Sequence, residues 1–418
     1  TFVPIIACLY IFLSLLEDSG YMARAAFVMD RFMRSIGLPG KAFVPLIVGF
    51  GCNVPAVMAT RTLDNERERK LTILMNPFMS CGARLPVYAL FVAAFFPTNG
   101  QNLVFVLYLT GIGVALLTGL VMKRTLLAGE STGFMMELPP YHLPTLKGTS
   151  LRTLDRVKLF VKDAGRVIVI MVLALNLLSS VGTDGRFGEP GLGASVLSAA
   201  GQAVTPVLAP MGIREENWPA TVGIVTGVLA KEVIVGTLDT LYGRMASAGG
   251  EAPGPAPPLG EALAQAARTV PANLAAVADR LLDPLGLDLV SRPGDVAQIA
   301  PQGASGAVFG AMTRYFDGRA GAFAYLLFIL LYAPCAATLG AIVREAGSRW
   351  AAFVALWTTG VAFSVATLFY QTATFARHPE SSAAWIAGLV LALAAVLAAL
   401  RAWGRRGQGR DTHLEAGA

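Results

Sequence analysis

The chain has 418 residues, of which 55% are hydrophobic and only 14% charged, with a formal net charge of +6. A soluble domain carries roughly a quarter charged residues, so this composition and a mean hydropathy of +0.59 exclude an ordinary soluble enzyme. They point to a polytopic helical membrane protein, whose basic residues collect in loops and call for no nucleic acid.

Apolar stretches follow one another at 2–16, 43–60, 71–97, 102–122, 167–182, 217–242, 321–343, 349–375 and 383–403. Each is expected to be helical, because an open strand cannot satisfy its backbone in lipid. The first lacks a charged flank and a cleavage pattern, so it reads as a span and not a signal peptide. With Thr1 at its head, the chain is expected to be the back part of something longer. Basic loops set the orientation. Segment 61–70 (Arg61, Arg67, Arg69, Lys70), segment 123–166 and the tail from Arg401 go to the cytoplasm. Pro97–Asn102 has no basic residue and goes outside, as do 376–382 and, by parity, 243–320.

Segment 17–42 is also basic (Arg24, Arg31, Arg34, Lys41), so 43–60 has cytoplasmic signals on both flanks. It carries Pro45, Gly49, Gly51 and Pro55, which oppose a continuous helix. A re-entrant element satisfies both observations. Irregular backbone at membrane depth is tolerated only inside protein or beside a wet cavity, which makes 43–60 a candidate site.

The second half repeats the first. An ungapped overlay of Val44–Leu63 on Val222–Leu241 pairs Val44/Val222, Gly49/Gly227, Val57/Val235, Thr62/Thr240 and Leu63/Leu241. Counting crossings puts 17–42 inside and 183–216 outside, so the repeats are expected to be inverted, as in many transporters with discontinuous helices. Segment 151–166 reads as a basic amphipathic stretch on the cytoplasmic surface, and 243–320 as a Gly/Pro-rich spacer with one or two amphipathic helices.

Several residues could carry chemistry. Lys231 and Glu232 sit inside an apolar run, where an ionisable group costs a few kcal/mol. They read either as a mutually neutralising pair or as a cation ligand (Glu232) beside a gating charge. Cys52 in Gly51-Cys-Asn53 and Cys81 in Ser80-Cys-Gly82 lie at Gly/Pro-broken points. A buried Cys is usually a small hydrophobe, but thiols in that setting suit a transition metal and not magnesium or calcium. Asn53 adjoins the first thiol. Arg84, between Pro77 and Pro86, is expected to pair with Glu17, Asp18 or Glu232 or to face a cavity. Glu17 and Asp18 also read as a solvated helix end. Cys335 marks another break, and Met22, Met29 and Met33 share a helical face best explained by packing. The three histidines, His142 among them, lie outside the apolar runs, which disfavours a histidine-rich site. The sequence has no P-loop, nucleophile elbow or HExxH motif, so a catalytic reading has no support.

In order along the chain stand Leu16-Glu-Asp-Ser-Gly-Tyr-Met-Ala-Arg24, Gly37-Leu-Pro-Gly-Lys-Ala-Phe43, Gly49-Phe-Gly-Cys-Asn-Val-Pro55, Ser80-Cys-Gly-Ala-Arg84, Met136-Glu-Leu-Pro139, Ala230-Lys-Glu-Val233 and Gly236-Thr-Leu238. Together they resemble the prokaryotic ferrous iron transport protein B (FeoB) family over nearly the whole chain. The resemblance implies a bacterial inner-membrane, multi-pass permease for Fe²⁺, with gate segments at Gly49–Ala59 and Gly227–Gly236 and gate cysteines at Cys52 and Cys81. Taken with the reading of the residues above, the expected metal contacts are Cys52, Cys81 and Glu232, with Asn53, Arg84, Lys231, Glu17, Asp18 and Cys335 in gating or supporting roles. The family's cytoplasmic GTPase domain, which would bind GTP and Mg²⁺, has no counterpart in this sequence. It is an expected partner, with the lipid bilayer, a small cytoplasmic accessory protein and further copies of the chain.

The expected fold is all-α, a polytopic bundle with two inverted gate repeats. Its parts are 1–122 (first repeat), 123–166 (cytoplasmic linker), 167–242 (second repeat), 243–320 (outer insert), 321–404 (C-terminal spans) and 405–418 (tail). A nucleoside or other organic-solute carrier is the alternative, and would place aromatic and amide groups at the breaks. A membrane receptor or redox protein using Cys52 and Cys81 is a third reading.

Overall fold

The computed structural model describes residues 2–98, 100–129, 141–183, 193–247, 260 and 306–415. The Met136–Pro139 motif and most of the 243–320 insert lie outside these residues. Among the described residues the fold is all helical, as expected, with one isolated bridge between Gly182 and Ser195. Among the described residues five helical segments are long and apolar enough to cross a membrane: Glu66–Phe95 and Gly318–Ala346, each interrupted once, and Gly100–Arg124, Ser348–Ala373 and Pro379–Gly404.

Helix α1 (Phe2–Asp18) leads into α2 (Tyr21–Ser35) through Gly20 at φ 75°, a left-handed conformation that glycine adopts without penalty. The two helices meet at 79°. Segment 17–42 thus contains an amphipathic helix, the one on which Met22, Met29 and Met33 share a face. After it come α3 (Phe43–Gly51) and α4 (Asn53–Ala59), together the broken segment. Next, α5 (Glu66–Met75) and α6 (Leu85–Phe95) flank an irregular stretch, so 71–97 is interrupted as well. The continuous span α7 (Gly100–Arg124) closes the first half.

Helix α8 (Leu146–Ser180) is 35 residues long. The surface stretch 151–166 and the span 167–182 are therefore one helix, since only Gly165 lies between them and no proline stops it. Its early turns reach the end of α1, where Arg156 pairs with Glu17 at 2.7 Å and Arg152 pairs with Asp18. Segment 183–216, placed outside by counting crossings, contains the apolar helix α9 (Val196–Leu208). Helices α10 (Trp218–Leu229) and α11 (Val233–Ser247) form the second broken segment. They are followed by α12 (Gly306–Tyr315), α13 (Gly318–Leu331), α14 (Ala336–Ala346), α15 (Ser348–Ala373) and α16 (Pro379–Glu415).

The core sits around α13, whose stretch Ala324–Leu331 is buried throughout. Tyr325 stacks on Phe91 (5.1 Å) and meets Phe316 edge-on (5.3 Å), and its hydroxyl donates to the Ala220 carbonyl at 2.9 Å. Aromatic pairs add about 1 kcal/mol each beyond their area. One cluster thereby ties α6, α12 and α13 to the head of α10.

Ion pairs sort the loops into two sets. Arg61 meets Glu345 at 2.6 Å, joining the 61–70 loop to the end of α14, and Lys41 reaches Asp64. Asp317 accepts from Arg214 and Arg377, both at 2.9 Å, and from the Tyr370 hydroxyl. These are the groupings that basic-loop counting assigns to the cytoplasmic and outer sides.

Candidate functional site

Two breaks hold the same backbone. Cys52, between α3 and α4, has φ −155° and ψ 131°; Ala230, between α10 and α11, has φ −151° and ψ 119°. The overlay drawn from sequence pairs these two residues. Their N–H groups close the preceding half-helices onto Val48 (3.1 Å) and Thr226 (3.0 Å), which are also paired. Helix α3, at 1.5 Å per residue, extends only about 14 Å, half of a hydrocarbon core. These are half-span helices; the second ends at buried Ala230 and Lys231, the first at exposed Gly51 and half-buried Cys52.

A second pair of breaks lies opposite the first, and sequence reading missed the relationship. Cys81 (φ −78°, ψ 159°) precedes the short helix Gly82–Arg84, and Cys335 (φ −63°, ψ 157°) precedes α14. A shift of one segment on the other pairs Cys81/Cys335, Ala83/Ala337 and Leu85/Leu339, a signal too short to stand alone. The breaks touch one another: a Cβ on Gly82 would lie 3.8 Å from the Gly51 carbonyl oxygen, a Cβ on Gly227 would overlap the Tyr332 hydroxyl, Lys231 packs on the Tyr332 ring, and α4 packs against α14. Four breaks therefore meet in one region.

The remaining site residues show how the broken backbone is held. Asn53 is buried among carbonyl oxygens, which assigns its amide nitrogen to face them; so oriented it donates to the carbonyls of Asn76 (3.0 Å) and Gly49 (3.2 Å), tying the first break to the third. Arg84 is fully buried and pairs with no carboxylate among the described residues, contrary to expectation. Its guanidinium donates to the carbonyls of Met79 (3.1 Å) and Pro77 (3.0 Å). The reason is local: a helix stopped at Pro77 leaves carbonyls without partners, and a planar fork satisfies two at once. Lys231 does not pair with Glu232 either. Its Nζ lies 3.5 Å from the centroid of the Tyr332 ring, while Glu232 is exposed. Glu17 and Asp18 stand at the far end of α1, bound to Arg156 and Arg152.

Buried polar atoms without a hydrogen-bond partner gather at these breaks: both amide atoms of Asn76, Arg84 Nε, Lys231 Nζ and Tyr332 Oη. Each such group costs about 1–3 kcal/mol if it stays unsatisfied. Their concentration marks a place that takes up water or exchanges partners. Among the described residues no three His, Cys, Asp or Glu side chains come close enough together to hold a metal ion.

Two cavities flank the first pair of breaks. One, of about 540 Å³, lies against Val48 and Pro55 and reaches Glu17, Lys41, Arg61 and Arg156. The other, of about 510 Å³, lies against Thr226 and Val233. They are equivalent under the repeat: Val44, Val48, Pro55, Met58, Ala59 and Thr62 of the first correspond to Val222, Thr226, Val233, Gly236, Thr237 and Thr240 of the second.

The ferrous iron transport protein B C-terminus model matches residues 104–156, and the Gate model, described as nucleoside recognition, matches 1–95 and 161–267. The Fe(2+) transporter FeoB of Legionella pneumophila (strain Lens) is 48% identical over 98% of this chain and 53% of its own length. The Fe(2+) transporter FeoB of Salmonella paratyphi A is 48% identical over 96% of this chain and 50% of its own length. The chain belongs to the FeoB family. It spans about half the length of the curated relatives it matches. No solved structure matches. The two segments matched by the Gate model each contain one of the paired breaks, at Cys52 and Ala230.

Proposed function

We propose that the chain forms the membrane path of an Fe²⁺ transporter that moves the ion into the cytoplasm across a bacterial inner membrane. The observation that carries this reading is the mutual contact of four broken helices, three of which carry a thiol at the break, in a region rich in unspent polar atoms. Thiols select soft and borderline cations over magnesium and calcium. Cys52, Cys81 and Glu232 contact the ion in transit, and Cys335 lies next along the path. Lys231 responds to the cation by leaving Tyr332. An open, incomplete ligand set suits transit, because a closed tetrahedral cage would hold the metal too firmly to release it. The FeoB relatives agree in substrate by name.

The chain acts as a transporter and not as an enzyme in this reading. Control by GTP and Mg²⁺ is exerted by a separate GTPase domain, with a small cytoplasmic accessory protein and further copies of the chain as partners. The test is anaerobic Fe²⁺ uptake into proteoliposomes. Cys52→Ser lowers the maximal rate and relaxes selectivity toward Mn²⁺, and Glu232→Gln abolishes flux in a folded protein. Wild-type rates in both variants would overturn the assignment.

A further inference from the structure

The two equivalent cavities differ in chemistry. Where the first presents Val48, Met58 and Ala59, the second presents Thr226, Gly236 and Thr237. Further along, Asn176, Ser179 and Ser195 add neutral oxygens to the second cavity, where the first has the Tyr10 hydroxyl and the charged groups of Glu17, Lys41, Arg61 and Arg156. Helix α8 lines both cavities, through Arg156 and Leu159 in one and Val172–Ser180 in the other. Between the centres of those two stretches the helix rises about 28 Å, close to the thickness of a hydrocarbon core. The cavities therefore open toward opposite faces, the hydroxyl-lined one away from the Arg156 end.

The hydroxyl hydrogens of Ser179, Thr226, Thr237 and Thr240 are already committed, as is one of the two amide hydrogens of Asn176. Thr240 Oγ1 donates to the Gly236 carbonyl (2.8 Å) and Ser179 Oγ to the Asn176 carbonyl (2.9 Å). Asn176 Nδ2 donates to the Val172 carbonyl (2.9 Å), Thr226 Oγ1 to the Gly223 carbonyl (3.1 Å) and Thr237 Oγ1 to Thr226 (3.4 Å). A hydroxyl has one hydrogen and two lone pairs, and a side-chain amide with one hydrogen bonded keeps one donor and its acceptor oxygen. The wall is thus predominantly acceptor, although Arg244, which already has an interaction partner, lines one edge.

We propose that this cavity is an outer loading site that takes a divalent cation with its water shell intact, the waters donating to the side-chain oxygens. The cation as substrate rests on the transport reading above; the outer-sphere mode of binding is the new element. Coordinated waters point their hydrogens outward and require acceptors, which the wall supplies. A shell of six waters at about 30 Å³ each needs about 180 Å³, and the cavity holds about 510 Å³. Stripping the shell is then left to the thiols deeper in the path. The first cavity shares the hydroxyl at Thr62 but has Val48, Met58 and Ala59 at the other equivalent positions, and its charged lining is mostly basic (Lys41, Arg61 and Arg156 against Glu17), so it serves release.

The experiment is Mn²⁺ binding to the intact purified protein, with electron spin-echo modulation in D₂O counting the waters on the bound ion. Hexaamminecobalt(III), whose inert ammines mimic a hydrated ion, is the competitor. The expected result is an Mn²⁺ ion that keeps its full water shell and is displaced by the cobalt complex. Its affinity falls about fivefold in Thr240→Val and again in Thr237→Val, the factor of an ordinary net hydrogen bond. It stays unchanged in Thr372→Val, which removes a helix hydroxyl elsewhere. Absence of binding, loss of coordinated waters, failure of the cobalt complex to compete, or affinity unmoved by both cavity variants overturns the proposal. Uptake of Fe²⁺ is measured separately, so absent flux with a hydrated Mn²⁺ site refutes the transport reading alone.

Discussion

Lys231 Nζ stands 3.5 Å from the centroid of the Tyr332 ring, so the break between α10 and α11 rests on the break between α13 and α14. The amino group is buried and has no hydrogen-bond partner, so the ring face is its principal compensation. A desolvated cation on an aromatic face is worth about 2 kcal/mol. Tyr332→Leu should therefore lower the Tm of the purified protein, while Lys231→Met, which removes an unsatisfied polar group, should hold or raise it. The double variant should recover most of the loss from Tyr332→Leu. A double-mutant cycle with no coupling would show that the contact is incidental.

Arg84 gives a second prediction. Its two hydrogen bonds to the Pro77 and Met79 carbonyls close the stopped end of α5 from within the protein. Bonds from a charged donor are worth about 1.5–3 kcal/mol each. Arg84→Ala should cut the yield of monodisperse protein in detergent, and Arg84→Lys should restore only part of it, since an ammonium lacks the planar fork. Glu17→Gln should leave that yield unchanged, because Glu17 binds Arg156 and not Arg84.

The contrast between Arg84 and Cys52 shows what the sequence could carry. The break at Cys52 was legible because Gly and Pro oppose helix on their own, and its partner at Ala230 because a repeat doubles a weak signal. The apolar spans were legible because lipid demands length and hydropathy of each helix separately. Partners across the chain were not. Arg84 chose two carbonyls nearby and Lys231 chose a ring about a hundred positions away, and no local pattern ranks such options against a carboxylate. The continuity of α8 was also hidden, because a basic amphipathic stretch and an apolar span look like two elements even when one unbroken hydrogen-bond ladder joins them.

Gly227 and Gly236 share a broken segment but differ in surroundings. A Cβ at Gly227 would overlap the Tyr332 hydroxyl and Ile234, whereas a Cβ at Gly236 meets nothing within 4 Å. Gly227→Ala should push apart the second and fourth breaks and lower both Tm and Fe²⁺ uptake. Gly236→Ala should be stabilising by up to about 1 kcal/mol, the usual gain in a helix interior. Equal Tm shifts in the two variants would show that α10 does not approach Tyr332 as closely as described.

The last prediction concerns sidedness. Asp317 is bound by Arg214, Arg377 and the Tyr370 hydroxyl, which gathers the loops before α10, before α13 and after α15 at one end. Arg61 and Glu345 gather the 61–70 loop and the end of α14 at the other. Basic residues are retained on the cytoplasmic side, and 61–70 is the more basic of the two groups, so the Asp317 end faces outward. In a background with Cys8 replaced, Ser381→Cys should react with an impermeant maleimide in intact cells. Asp64→Cys should react only after the inner membrane is permeabilised. Both side chains are at exposed positions, so access and not burial decides the reaction. Asp317→Asn should lower Tm as well, because it removes the charge that holds two guanidinium groups together, whereas Asp64→Asn, at a 92% exposed side chain, should change Tm little. Reversed labelling would invert the whole assignment, including the outward placement of the hydroxyl-lined cavity.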